Sequence, residues 1–530
     1  MGYATEEKAC MFFVGANDYK VNNDNAGATF AEFNYAGGCT KWWWDAKIAE
    51  RMSAPHNETE VQAKEHVMGL LSANSGRQVG WVAMDADPIR INKTTGVYAG
   101  AEIGKVMYIK DYMGELGGDG MYEIVDVAPD NSWIEIDAPY ARADDNFSVD
   151  VWIGGYHADL DYLCSNFIDT THHEQEVWVN KDLAQTTSYW SFGNWSHSSD
   201  NYLRVIGFNR TPGDITETDG LFYQSINDIY KASGVVDTDC FVNVDQSNYT
   251  GEMNMITAST SSVIFKGFRT HGSTDLSLYS FDNFDAQYGI VEHCVFSVSS
   301  SAKKNATIWS FDAYSLRDCF IHGGETCVSV GMSATLEQCV VLAKANTLYT
   351  INSTMLDTTC ARNSIIDATA GSYLGSHDSD VLKFDNCVLL GGTSGGFLGD
   401  ANLTDGAFLF SGNIILMQLK QHLVVFDGSP TVDNEIRFIN NCVYSVLDGG
   451  KLFTITWSGF SGRENYGYFA GNIEQDPQLK SDCMPHNKAV LFGGVRDIAM
   501  NRTTIGAVSQ EHQYVSRSVN SNPGRIGIIR

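Results

Sequence analysis

Between Gly289 and Ser445 apolar and polar residues alternate in short bursts that share one setting. "IVEHCVFSVSS", "YSLRDCFIHGG", "TLEQCVVLAKA", "LKFDNCVLLGG" and "RFINNCVYSVL" each place an apolar residue two or three positions before a cysteine and two apolar residues after it. Aligned on that position, the series reads Cys294, Cys319, Cys339, Cys387 and Cys442. "CARNSIIDATAG" puts Ser364 into the first long gap, "LFSGNIILMQ" puts Asn413 into the second, and "YFAGNIEQDP" adds Asn472. The spacings then become 25, 20, 25, 23, 26, 29 and 30 residues.

Alternation of this kind turns every second side chain to one face of a strand. A unit in the twenties with one such strand is the period of a stacked solenoid, and it is long enough for three short strands and their turns. Successive coils lie about 4.8 Å apart, so equivalent inward positions form a ladder. The chain is expected to be all-β, a parallel β-helix, with its structural ladder through Cys294, Cys319, Cys339, Ser364, Cys387, Asn413, Cys442 and Asn472. Small residues of modest polarity suit a tight bend, and Asn can hydrogen-bond along a stack. The chain has twelve cysteines and no C-x-x-C pair, and Ser364 and Asn413 interrupt any pairing scheme. Buried free thiols are expected, with no zinc site.

The segments "CARNSIIDA", "FDNCVLL" and "INNCVYS", followed by "NIEQDPQL" and a closing "IGAV" at Ile505–Val508, resemble right-handed parallel β-helix proteins of the pectate-lyase-like superfamily. The resemblance covers roughly residues 177–508. It specifies fold more than function.

Upstream, "ADLDYLCSNFI" carries Leu160, Leu163, Cys164 and Phe167 on one helical face. A short helix over Ala158–Ile168 is expected to cap the solenoid. Before it, "KVMYIKDYMG", "GMYEIVDVAP" and "SWIEIDAPY" alternate as a small antiparallel β unit would. Their order, leading through "VDVWIGGYHADL" into the helix and on to "YLRVIGFNRTPGD", resembles β-helix proteins encoded by tailed phages. Residues 1–95 hold two helical runs, "CTKWWWDAKIAERM" and "TEVQAKEHVMGLL", and read as a mixed α/β N-terminal attachment module. Three adjacent tryptophans suit either a partner interface or a small local core. The expected organisation is 1–95 attachment module, 96–157 β unit, 158–480 capping helix and β-helix, and 481–530 closing coil and tail.

The chain has 35 basic and 64 acidic residues, a net charge of −29. Nucleic acid is therefore an unexpected partner, and no apolar window reaches the length of a membrane span. "MGYATEEKACMFF" has neither a basic n-region nor a long apolar core, so no secretory signal is read there. No cofactor or metal motif is found. A β-helix could hold paired carboxylates on adjacent coils at a glycosidase separation. The candidates for such catalysis are Asp285 and Asp312, each in an F-D-A triplet, with Asp282 nearby and His293 and His322 close to ladder positions. A chain this acidic also places carboxylates on neighbouring coils by chance.

The phage resemblance implies a virion protein made in the host cytoplasm. It would be a homotrimeric spike, fibre or capsid appendage that binds other virion proteins through its N-terminal module and contacts host surface polysaccharide. A polysaccharide lyase or glycoside hydrolase on the same scaffold is one alternative, and a non-viral structural or adhesive β-helix is the other.

Overall fold

The computed structural model describes residues 10–14, 39–71, 77–86, 89–111, 120–136, 147–154, 156–157, 175–180, 190–191 and 203–214. Between 242 and 470 it describes the strands given below and several of the turns that join them. The expected capping helix at Ala158–Ile168 and the closing segment after 470 lie outside the described residues.

The chain forms a parallel β-solenoid with three long sheets. The first, of 14 strands, runs through Gln175–Asn180, Leu203–Phe208, Val263–Lys266, Gly289–Glu292, Tyr314–Arg317, Ala334–Glu337, Thr358–Arg362, Val381–Asp385, Ala407–Ser411 and Glu435–Ile439 to Gly467–Ala470. At its start Cys10–Val14 pairs in parallel with Gln175–Asn180 and covers that edge, which is how an otherwise open strand edge is kept from unwanted pairing. The second sheet has nine strands, from Val242–Asp245 to Cys442–Ser445, and the third has seven, from Ala306–Ser310 to Thr454–Trp457.

Period-two alternation sets what the first sheet buries. Val177, Val205, Phe265, Val291, Leu316, Leu336, Ala361, Phe384, Phe410 and Phe438 are in register on successive strands, and all are buried. Aromatic rings stack along the far end of this column, with the Phe410 and Phe438 centroids 4.5 Å apart at 9°. Like packs on like because parallel in-register strands offer each side chain its equivalent above and below.

Two corners shape each coil. Between the first and second sheets one residue takes a left-handed conformation: Gly267, His293, Asp318, Gln338, Asn363, Asn386, Gly412 and Asn440, with φ between 48° and 82°. Glycine, Asn, Asp and His reach that region most easily. Between the second and third sheets Thr347 donates its hydroxyl to Gly324 O (2.7 Å) and Thr393 donates to Gly371 O (2.9 Å). The backbones approach so closely here that a Cβ on Gly392 would lie 2.2 Å from Ser372 O.

The N-terminal region has two parts. A closed six-stranded antiparallel barrel follows the order Arg77–Ala86, Ile89–Lys93, Trp133–Ile136, Gly120–Val127, Val106–Asp111 and Phe147–Ile153. Its first two strands precede residue 96, and its core centres on Ile91, Tyr98, Met107, Ile124, Ile134 and Val151. Helices α1 (Lys41–Met52) and α2 (Glu60–Leu71) pack as a pair. Helix α2 begins with a reciprocal cap in which Thr59 N–H donates to Gln62 Oε1 (3.0 Å) and Gln62 N–H to Thr59 Oγ1 (3.4 Å). The pair buries Trp44 and Ile48 from α1 and Ala63, Val67 and Met68 from α2. Lys47 on α1 reaches the barrel at Glu123 (2.8 Å), and Glu65 on α2 pairs with Arg210 in the turn after a solenoid strand. The helix pair therefore fastens the barrel to the start of the stack.

Candidate functional site

Asp282, Asp285 and Asp312 lie outside the described residues, as does Asn472. His293 is buried in the left-handed corner, with Nδ1 2.9 Å from Asp318 Oδ2 in the corner of the next coil. His322 is buried on the second sheet, with its ring edge-on to Phe320 at 6.1 Å. Both histidines belong to the packing of the stack.

The ladder forms directly after the left-handed corner and turns inward. Cys294, Cys319, Cys339, Ser364, Cys387 and Asn413 occupy it and all are fully buried. Their chemistry is donation to main-chain carbonyls. Each thiol points at the carbonyl two residues back in its own strand and at the inward residue of the preceding coil. Cys319 Sγ lies 3.3 Å from Arg317 O and 3.5 Å from Val291 O, and Cys387 Sγ lies 3.4 Å from both Asp385 O and Ala361 O. Ser364 makes the same local bond, Oγ to Arg362 O at 2.7 Å, and also accepts the N–H of Cys339 at 3.1 Å. Asn413 accepts the N–H of Cys387 (2.8 Å) while its amide donates to Phe384 O (3.0 Å) and Asn441 Oδ1 (2.9 Å). The shared requirement is a small side chain that can donate inside the corner. Thiol, hydroxyl and amide differ in volume but each donates to a main-chain carbonyl here.

One ladder position differs from the expectation. In the last described coil Asn440 is left-handed (φ 56°), Asn441 accepts the N–H of Asn413 (2.9 Å), and Cys442 stands opposite Ile414 on the second sheet. The ladder residue is thus Asn441, and Cys442 is the buried strand residue that follows it. Aligning on the thiol shifted the register by one. The doublet Asn440-Asn441 carried the signal.

Burial also fixes the reactivity of these thiols. Desolvation pushes Cys294 and Cys327 up to about 12 and holds Cys319 and Cys387 far above the ordinary thiol range. A thiol held neutral is a poor nucleophile and a poor metal ligand. Cys294, Cys319, Cys327, Cys339, Cys360, Cys387 and Cys442 are free, and among the described residues no group of three or more metal-ligating side chains converges.

A further column lies on the opposite face of the first sheet. Lys266, Glu292, Arg317, Glu337, Arg362 and Asp385 are paired in register on six successive strands. Their charges alternate, so each interior member has opposite charges on both sides. Arg317 reaches Glu292 at 3.3 Å. At the end of the run, burial holds the Asp385 carboxyl above its usual range despite the nearby Lys383 and Arg362. The sequence does carry this signal, two positions before each ladder residue, but it appears only when the repeats are written in columns.

No protein-family model matches the chain, and the searches of curated proteins and of solved structures found no match to it.

Proposed function

We propose that the chain is a virion protein of a tailed phage, a right-handed β-helical rod of the pectate-lyase-like kind. It would attach through its N-terminal barrel and helix pair and meet host surface polysaccharide along the solenoid. The observation that carries this reading is the fastening of a separate barrel and helix pair to one end of a long, continuously laddered stack. The ion pairs Lys47–Glu123 and Glu65–Arg210 are the links. Such an arrangement suits a stiff spacer with an adapter at its base. Inward thiols with suppressed reactivity suit a protein that works outside a reducing cytoplasm, because oxidation has no exposed thiolate among them to act on. Fold and segment resemblance supply the phage assignment, which is an analogy from scaffold to role.

The test uses the full chain. Mass photometry is expected to find three copies per particle, and co-sedimentation is expected to retain the protein on host capsular polysaccharide or lipopolysaccharide without release of reducing ends. A monomer that binds no surface glycan would overturn the proposal. Release of reducing ends would replace it with the depolymerase alternative.

A further inference from the structure

We infer that the outer face of the first sheet between Lys266 and Asp385 is a self-association surface, on which a second copy of the chain docks with its stack running the opposite way. Two outward columns lie on this face, one on each side of the buried apolar column. One reads Lys266, Glu292, Arg317, Glu337, Arg362 and Asp385. The other reads Ile264, Ile290, Ser315, Thr335, Cys360 and Lys383, and it is uncharged up to its last member. Arg317 and Arg362 are exposed, and Lys266, Glu292, Glu337 and Asp385 are half-buried.

A run of alternating charges with an even number of members is the complement of its own reversal. A two-fold axis lying along the strands, midway between Tyr314–Arg317 and Ala334–Glu337, makes an isologous contact of this kind. It sets Arg317 against Glu337 of the second copy, Glu292 against Arg362 and Lys266 against Asp385, each pair occurring twice by symmetry. Facing sheets pack about 10 Å apart, a gap that long charged side chains span from both sides. Two copies with parallel stacks in register on this column would set every charge against its like. The contact therefore differs from any that joins three parallel rods in one particle, and it goes beyond the virion reading. The charge balance of the chain favours the same face. One copy of net charge −29 repels another, whereas this column carries three charges of each sign and cancels. Each charge keeps its neighbours within its own chain, as Arg317 keeps Glu292 at 3.3 Å, and the facing copy adds one more of opposite sign. Exposed pairs are individually weak, and six short strands about 4.8 Å apart offer roughly 300 Å² per copy. The contact is transient, with a dissociation constant on the order of 10⁻⁴ M.

The experiment is sedimentation velocity on the full chain from about 1 to about 300 µM, with the wild type, Arg317→Glu, Glu337→Arg and the double variant Arg317→Glu/Glu337→Arg. Circular dichroism will show that each variant is folded. The wild type is expected to grow on concentration beyond the particle it forms when dilute. Each single variant sets like charges face to face and should weaken that growth about tenfold. The double variant restores opposite signs between antiparallel copies and should recover the growth. In a parallel pairing offset by one coil it would leave like charges at two positions and recover nothing. Absence of growth in the wild type, single variants that grow as the wild type does, or a double variant no better than the singles would each overturn the inference. Particle size when dilute and retention on glycan test the virion reading, and growth on concentration tests this face, so either can fail alone.

Discussion

Asn413→Ala isolates what the ladder contributes. Asn413 is fully buried, and its side chain satisfies the N–H of Cys387 at 2.8 Å and donates to Phe384 O at 3.0 Å. Alanine removes both partners at once. Leaving a buried main-chain N–H unsatisfied costs about 1 to 3 kcal/mol, and the small void left by the amide adds roughly 1 kcal/mol. We expect a local loss of about 3 kcal/mol, equivalent to a protection factor roughly 100-fold lower for the amide of Cys387.

Asn413→Cys should behave differently. A thiol there can donate to Ser411 O and Phe384 O as Cys387 does to its own pair of carbonyls, but sulfur is a weak acceptor for the Cys387 N–H. The expected cost is about 1 kcal/mol. The assay is native-state hydrogen exchange read on peptides spanning 381–390 and 407–417, because an elongated stack opens locally before it unfolds globally. If Asn413→Ala leaves exchange at Cys387 unchanged, the amide oxygen does not hold that N–H; if Asn413→Cys is as damaging as Asn413→Ala, donation to carbonyls is not what selects the ladder residues.

Gly392→Ala should cost about 1 to 3 kcal/mol in denaturant titration, because its Cβ would meet the Ser372 carbonyl at 2.2 Å and backbone has to move. Brief alkylation of the folded chain at pH 8 should leave Cys294, Cys319, Cys327, Cys339, Cys360, Cys387 and Cys442 unmodified by peptide mass mapping, since all seven are buried and free. Arg317→Glu would place three acids in a row at Glu292, 317 and Glu337; with Arg317 half exposed the loss should stay below about 1 kcal/mol and shrink in 1 M salt. Asp385→Asn should stabilise the chain at neutral pH. Burial raises the folded carboxyl above its unfolded value, so Asp385 favours the native state while protonated and opposes it once pH rises through the folded value. The gain in thermal midpoint should therefore vanish as pH falls below the ordinary carboxylate range, and a gain that persists in acid would show that burial of the charge is not its cause.

The solenoid was legible because its corner imposes a chemical demand that recurs in sequence. Cys294, Cys319, Cys339 and Cys387 answer that demand with one residue type, and their spacing exposed the repeat. The corner itself was not legible, since the left-handed position accepts Gly267, His293, Asp318, Gln338, Asn363 and Gly412 alike. There the constant is a backbone conformation and the residue varies, so the one-residue offset at Cys442 passed unseen. The barrel shows a different limit. Alternation identified Gly120–Val127 and Trp133–Ile136 as strands, whereas closure depends on Arg77–Ala86 pairing with Phe147–Ile153 across some seventy residues, and no local pattern encodes that partnership.

Three independent columns converge on five corners between the first and second sheets, those at His293, Asp318, Gln338, Asn363 and Asn386. The apolar column fixes which face turns inward, the donor ladder ties that face to the coil below, and the alternating charges set which strand residue sits over which. A slip of one residue would expose the Phe384–Phe410–Phe438 stack and break the carbonyl bonds of the ladder. A slip of one whole coil would leave both intact but would set Lys266 over Arg317, Glu292 over Glu337 and Arg317 over Arg362, like charge on like charge. The apolar and donor columns oppose that second error less, because many of their members are alike from coil to coil. The sign alternation on the outer face distinguishes adjacent coils from Lys266 to Asp385 directly, and so a column worth little as surface ion pairs gains its value as a register device along that part of the stack.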